Sequence, residues 1–215
     1  MGSDQIMAAA KPLTALAMAV LELLHERPMH PYEMTQLMRE RWVDRRVKLR
    51  PGSLYHTVER LQAQGIIEVV DTQRQGRRPE RTVYALTDFG RDTFAEQTRS
   101  MLSTLTPEYS GYPVALSAGA ELSREDFLVQ VRARATRLTG QVALERAISE
   151  KLRTIGLPEM YWIDFDYTLH QRQSELDWTN KLIADLESGR LPWPAEKPEG
   201  LTTLSLVDVK DAGNA

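Results

Sequence analysis

Ser53, Tyr55, His56, Thr57 and Arg60 fall within one short run, Pro51 to Gly65, whose apolar residues Leu54, Val58 and Leu61 recur at i, i+4 and i+7. That spacing predicts a helix with one buried stripe, and the polar residues form its other face. Hydroxyls, a phenol, an imidazole and a guanidinium are groups that hydrogen-bond phosphate oxygens and the edges of bases. Arg45, Arg46, Lys48 and Arg50 precede this run, and Arg74, Arg77, Arg78 and Arg81 follow it. From Arg39 to Arg81 there are 11 basic and 6 acidic residues, a local net of +5 in a chain whose net charge is −3. Such bunching points to a polyanion partner. Taken alone, the charge fits a solvated charged face equally well.

Other chemistries lack their residues. His25, His30, His56 and His170 fall on different expected elements without an H-E-x-x-H pair, and there is no Cys. The absence of thiols removes disulfides, thiolate nucleophiles, iron–sulfur clusters and Cys-ligated zinc, and it fits a reducing cytoplasm. No glycine-rich phosphate loop occurs, and Asp164 and Asp166, two apart on an expected helix, do not share a face. Neither an enzyme nor a metal or cofactor site is expected. The apolar run Leu13 to Leu24 is broken by Glu22 and falls short of the ~18–20 residues of a membrane span. No anchor or signal peptide is therefore expected, and the localisation read is cytoplasmic.

The elements that must hold these groups are legible from periodicity. Leu13, Leu16, Ala17, Val20, Leu23 and Leu24 predict a first helix that Pro28 stops. A second opens at His30 or Pro31 and carries Met34, Leu37 and Met38 inward as far as about Trp42. Pro51 opens the third, and Gly65 ends it. The period then changes, with Ile66, Ile67, Val69 and Val70, and later Thr82 to Leu86, reading as two strands of a hairpin. Its loop, Asp71 to Arg81, is Arg- and Gln-rich and should project as a positive finger. Thr87 is the expected N-cap of a fourth helix reaching Leu105.

The second half, Thr106 to Ala215, has 12 basic and 17 acidic residues. Residues Tyr109 to Ala120 fit a loop or a short helix. Ser123 and Asp126 form a capping box ahead of a long helix with Phe127, Val131, Ala135, Leu138, Val142, Ile148, Leu152 and Ile155 as its stripe, ending near Gly156. A last helix follows Pro158 and ends before Gly189. Helices of roughly 30 residues are about 45 Å long, too long for one small domain to cover, so a homodimer is expected. The expected organisation is a flexible start (1–12), a DNA-binding domain with its linking helix (13–105), a helical dimerisation domain (106–189) and a flexible tail (190–215).

Three helices followed by a hairpin with a basic loop is the order of a winged helix-turn-helix, whose third helix enters the major groove of double-stranded DNA. The fold class is then mainly α, with that domain followed by two long dimerisation helices. The stretches Leu16-Ala-Met-Ala-Val-Leu-Glu-Leu-Leu24, His30-Pro-Tyr-Glu-Met34, Pro51-Gly-Ser-Leu-Tyr-His-Thr-Val-Glu-Arg-Leu61, Gly65-Ile-Ile67 and Arg81-Thr-Val-Tyr-Ala-Leu-Thr87 strongly resemble the PadR family of bacterial transcriptional regulators. The resemblance implies a homodimeric, repressor-like regulator on a pseudo-palindromic operator, often relieved by a small ligand. It places Tyr32, Gly52, Ser53 and Tyr55 at family motif positions near DNA, and Arg77 and Arg78 at the wing tip. The family commonly has Pro directly after the recognition-helix Tyr, where this chain has His56, either as tolerated variation or as a titratable group facing the groove. The alternative function is a dimeric winged-helix module that binds a protein or a small molecule without specific DNA.

Tyr161, Trp162, Phe165, Tyr167 and Trp178 all fall on the last expected helix and point around it. Two readings stand for them: large apolar fill of a dimer core, or the walls of a pocket in which Trp162, Tyr167, His170 and Trp178 hold a planar aromatic effector.

Overall fold

The computed structural model describes residues 12–50, 52–73, 81–107 and 109–194. The chain divides into two units between Pro107 and Glu108.

In the first unit, α1 (Ala15–Glu26) is capped by Thr14, whose Oγ1 accepts the Ala17 N–H at 3.2 Å, and it buries seven residues from Leu16 to Leu24. Arg27 leaves it in an extended conformation before Pro28, which disfavours a helical predecessor. Helix α2 (Pro31–Glu40) starts with Pro at its first position and buries Met34 and Met38. Helix α3 (Ser53–Ala63) buries Leu54, Thr57, Val58 and Leu61. It ends in a Schellman motif, with Gly65 at φ +69, its N–H on the Gln62 carbonyl, and the Ile66 N–H on that of Leu61.

Strands β1 (Ile67–Gln73) and β2 (Arg81–Leu86) pair antiparallel, with Ile67 opposite Leu86 and an irregularity between Val69 and Asp71. Met29 and Tyr84 exchange both backbone hydrogen bonds, at 3.0 and 3.1 Å, which ties the α1–α2 connection to the outer edge of β2. One core joins α1, α2, α3 and the hairpin through Val20, Leu21, Met29, Met34, Leu61 and Ile67. Helix α4 (Asp88–Ser103) is capped by Thr87 Oγ1, which accepts the Gly90 N–H at 3.0 Å.

In the second unit, the stretch that fits either a loop or a short helix forms α5 (Gly111–Ser117) and a 3-10 turn at Gly119–Glu121. Helices α6 (Arg124–Thr154) and α7 (Ile163–Glu187) run antiparallel, since Arg132 pairs with Glu187 and Arg146 with Gln173. Ser123 Oγ caps α6 by accepting the Asp126 N–H at 3.1 Å. The buried positions of α6 are Leu128, Val131, Ala135, Leu138, Val142, Glu145 and Ser149, alternating by three and four. That is a 3.5-residue repeat, the seam of a coiled coil.

The seam corrects the expected stripe beyond Val142. Glu145 and Ser149 occupy the next two seam positions, whereas Ile148 and Leu152 are half-buried and Ile155 is exposed. An apolar stripe drifting at 3.6 residues per turn departs from a seam held at 3.5. The buried Glu145 carboxylate is paired with Arg172 of α7.

Residues 190–194, expected in the flexible tail, fold back on the helix pair. Gly189 turns the chain at φ +74, Arg190 pairs with Asp185, and the Leu191 N–H donates to the Asp185 carbonyl at 2.9 Å. Trp193 then packs on Phe127 with ring centroids 5.3 Å apart.

Candidate nucleic-acid interface

Helix α3 carries most of the polar residues singled out in the sequence, and the core decides which of them face outward. Its buried side is tied to α1, α2 and β1, so Gly52, Tyr55, His56 and Arg60 are exposed and Ser53 is half-buried. Gly52 precedes the helix at φ +84, a left-handed position that costs glycine little. Ser53 Oγ donates to the Arg50 carbonyl at 2.7 Å and accepts the Arg50 N–H at 3.2 Å, which ties the basic connector to the helix start. Arg60 reaches across to α1, where its Nη2 donates to Thr14 Oγ1 at 3.4 Å.

Thr57 is a correction. It is 7% exposed, and its hydroxyl donates to the Ser53 carbonyl at 2.8 Å. Its position, three residues after Leu54 and four before Leu61, places it on the apolar stripe. Tyr32, in the first turn of α2, is exposed, and its hydroxyl accepts from Gln36 Nε2 at 3.2 Å. Arg74, Arg77 and Arg78 lie outside the described residues.

Sequence reasoning passed over Glu59. It lies three residues after His56 and seven after Gly52, on the side opposite Leu54, Val58 and Leu61, and its Oε2 is 3.3 Å from His56 Nδ1. That helical spacing from His56 was the signal available in the sequence. Glu59 also reaches β2 electrostatically: burial pushes the Tyr84 phenol up, and the nearby carboxylate adds to it.

Part of the positive charge counted in the sequence is neutralised locally. Arg41 forms a two-pronged pair with Glu26, and hydrogen bonding to that guanidinium holds the Glu26 carboxyl below its ordinary range. Arg46 lies 3.7 Å from Glu22, and outside the counted window Arg27 likewise holds the Glu33 carboxyl below its ordinary range.

The four aromatic and histidine residues considered for an effector are not brought together. Trp162 is a correction as a pocket wall: it is 2% exposed, its indole N–H donates to the Leu157 carbonyl at 3.1 Å, and the Arg153 guanidinium lies 5.2 Å from its ring centre. Tyr167 is exposed and its hydroxyl accepts from Gln171; His170 is exposed and turned to Asp166. Trp178 stands edge-on to Tyr112 and lines a cleft of about 290 Å³ with Leu116, Phe127, Leu182 and Trp193. Among the described residues no group of three or more His, Asp or Glu could hold a metal ion, and no helix is long and apolar enough to cross a membrane.

Residues 20–96 match the model of the Transcriptional regulator PadR-like family. No curated protein matches the chain. Among solved structures, the chain is similar to Bacillus subtilis PadR in complex with operator DNA, at TM-score 0.66 and 18% identity over 80% of this chain and 99% of that one. The same protein in complex with p-coumaric acid gives TM-score 0.66 and 16% identity over 81% and 99%. The PadR-like transcriptional regulator BC1756 from Bacillus cereus gives TM-score 0.56 and 18% identity over 80% and 98%. These likenesses are likenesses of fold. The order of α1, α2, α3 and the β1–β2 hairpin is that of a winged helix, and it is within this domain, over residues 20–96, that the chain matches the PadR-like family model.

Proposed function

We propose that the protein is a sequence-specific DNA-binding regulator that acts as a homodimeric repressor. The observation that carries this reading is the outward face of α3, where Gly52, Tyr55, His56 and Arg60 stand exposed with Ser53 beside a basic connector. In this reading α3 enters the major groove and Tyr55, His56 and Arg60 meet bases or phosphates there. Tyr32, Gly52 and Ser53 approach the backbone, and Arg74, Arg77 and Arg78 follow it from the wing. Dimerisation is supported by large apolar side chains left on the surface, among them Leu105 at 98% and Met160 and Tyr161 at 77% exposure. A two-fold dimer then binds a pseudo-palindrome whose half-sites lie about one helical turn, ~34 Å, apart.

Relief by a planar aromatic effector belongs to the same proposal, since p-coumaric acid is the compound bound in one of the similar structures. In this chain the cleft beside Trp178 supports it, with aromatic walls that suit a flat ligand. The experiment is selection of bound duplexes from a randomised pool, with light scattering on the same preparation. An enriched pseudo-palindrome bound by a dimer is the expected result. Enrichment of no sequence points instead to a winged-helix interaction module without specific DNA binding.

A further inference from the structure

A carboxylate on the outward side of the recognition helix has consequences that its basic neighbours lack. Glu59 and His56 are strongly exposed, 69% and 85% for their side chains, and stand opposite the stripe that binds α3 to the core. Toward phosphate, Glu59 is repelled, so it gains nothing from the DNA backbone. Toward bases it can only accept hydrogen bonds. In the major groove guanine offers the acceptors N7 and O6, and thymine offers O4, all of which repel a carboxylate. Adenine sets its N6 donor beside the N7 acceptor, whereas cytosine presents the N4 donor alone. The imidazole beside it, Nδ1 to Oε2 at 3.3 Å, donates to one oxygen and leaves Oε1 for a second donor.

We propose that Glu59 selects a C·G pair in each half-site by accepting a hydrogen bond from cytosine N4, and that His56 positions its carboxylate. The inference rests on the DNA-binding reading above. It gives His56, beside its own contact with DNA, the further role of positioning the Glu59 carboxylate. It also gives the acidic residue a use, because its charge penalises every other base at that position.

The test is selection from a randomised duplex pool with the full chain and with Glu59→Ala, Glu59→Gln and His56→Ala. The unsubstituted protein should prefer cytosine at one position per half-site by about 5- to 150-fold. Glu59→Ala should accept all four bases there and keep the rest of the site. Glu59→Gln should move the preference to adenine, whose N6 and N7 suit an amide. His56→Ala should keep cytosine with a smaller ratio. All four proteins should melt together, since both side chains are solvent-exposed. A cytosine preference that survives Glu59→Ala overturns the assignment, and so does a uniform gain of affinity for every sequence, which would reduce Glu59 to a charge repelling phosphate. If the unsubstituted protein selects no sequence, the DNA-binding reading itself falls and takes this assignment with it.

Discussion

His30 Nδ1 accepts the backbone N–H of Tyr32 at 3.0 Å, so an imidazole caps α2 where a hydroxyl, amide or carboxylate more often stands. The ring can do this only while Nδ1 is unprotonated. His30→Ala removes the cap and should cost about 0.5–2 kcal/mol, and His30→Asn should recover most of it. Thermal melts of the three proteins check this. Equal melting for Ala and Asn would show that the cap does not stabilise α2.

Gly90 sets two physical effects against each other. It lies within α4, where Ala would gain about 1 kcal/mol over Gly on helix propensity alone. Yet a Cβ there would stand 2.0 Å from the Ile66 carbonyl oxygen and 3.2 Å from Leu86 Cδ2. Backbone cannot yield as a flexible side chain does, so the clash wins, and Gly90→Ala should lose about 1–3 kcal/mol. Denaturant unfolding decides the sign.

The first unit is readable because its elements carry local signals: Thr87 as a cap, Pro31 at a helix start, Gly65 at an end, and the shift to β-branched residues after Ile66. The outward face of α3 is readable in part. The Thr57 hydroxyl suggests a DNA ligand, but its place in the apolar stripe decides where it goes, and Glu59 has the wrong sign for a helix recognised by its positive charge. The second unit hides more, since Glu145 and Ser149 in a coiled-coil seam carry no hydrophobic signal. The aromatic residues expected on the last helix are legible as a group, but Tyr161 and Trp162 fall just before α7, and whether each is buried depends on tertiary packing that composition does not encode. The return of residues 190–194 depends on the contacts of Asp185 with Arg190 and Leu191, which a Pro-rich composition conceals.

Those contacts make a pH prediction. Asp185 accepts from Lys181 Nζ at 2.7 Å, and this hydrogen bond, helped by Arg190, holds its carboxyl below the ordinary aspartate value. A carboxyl lowered in the folded state contributes stability that is present above the unfolded value and is lost as pH falls through the folded one. The stability difference between the unsubstituted protein and Asp185→Asn should therefore be full near neutral pH and close in acid, below the usual aspartate range. Urea midpoints for both proteins across that range measure it. A difference that stays constant with pH would show that the Asp185 charge plays no part.

In the proposed DNA-bound arrangement the wing arginines position the protein, whereas α3 reads sequence. Arg77 and Arg78 are assigned to phosphate, and an arginine on phosphate carries no base code but releases condensed counterions. Arg77→Ala with Arg78→Ala should then weaken binding to selected and unselected duplexes alike, and each arginine withdrawn from phosphate should lower the slope of log K against log salt by about 0.9. Glu59→Ala should do the reverse, leaving that slope unchanged while altering the selected base, because its proposed partner is a base edge. Salt titrations of both variants on one duplex and on its C·G-substituted form separate the two roles. A wing variant with altered base preference and an unchanged slope would place those arginines in a groove instead of along the backbone.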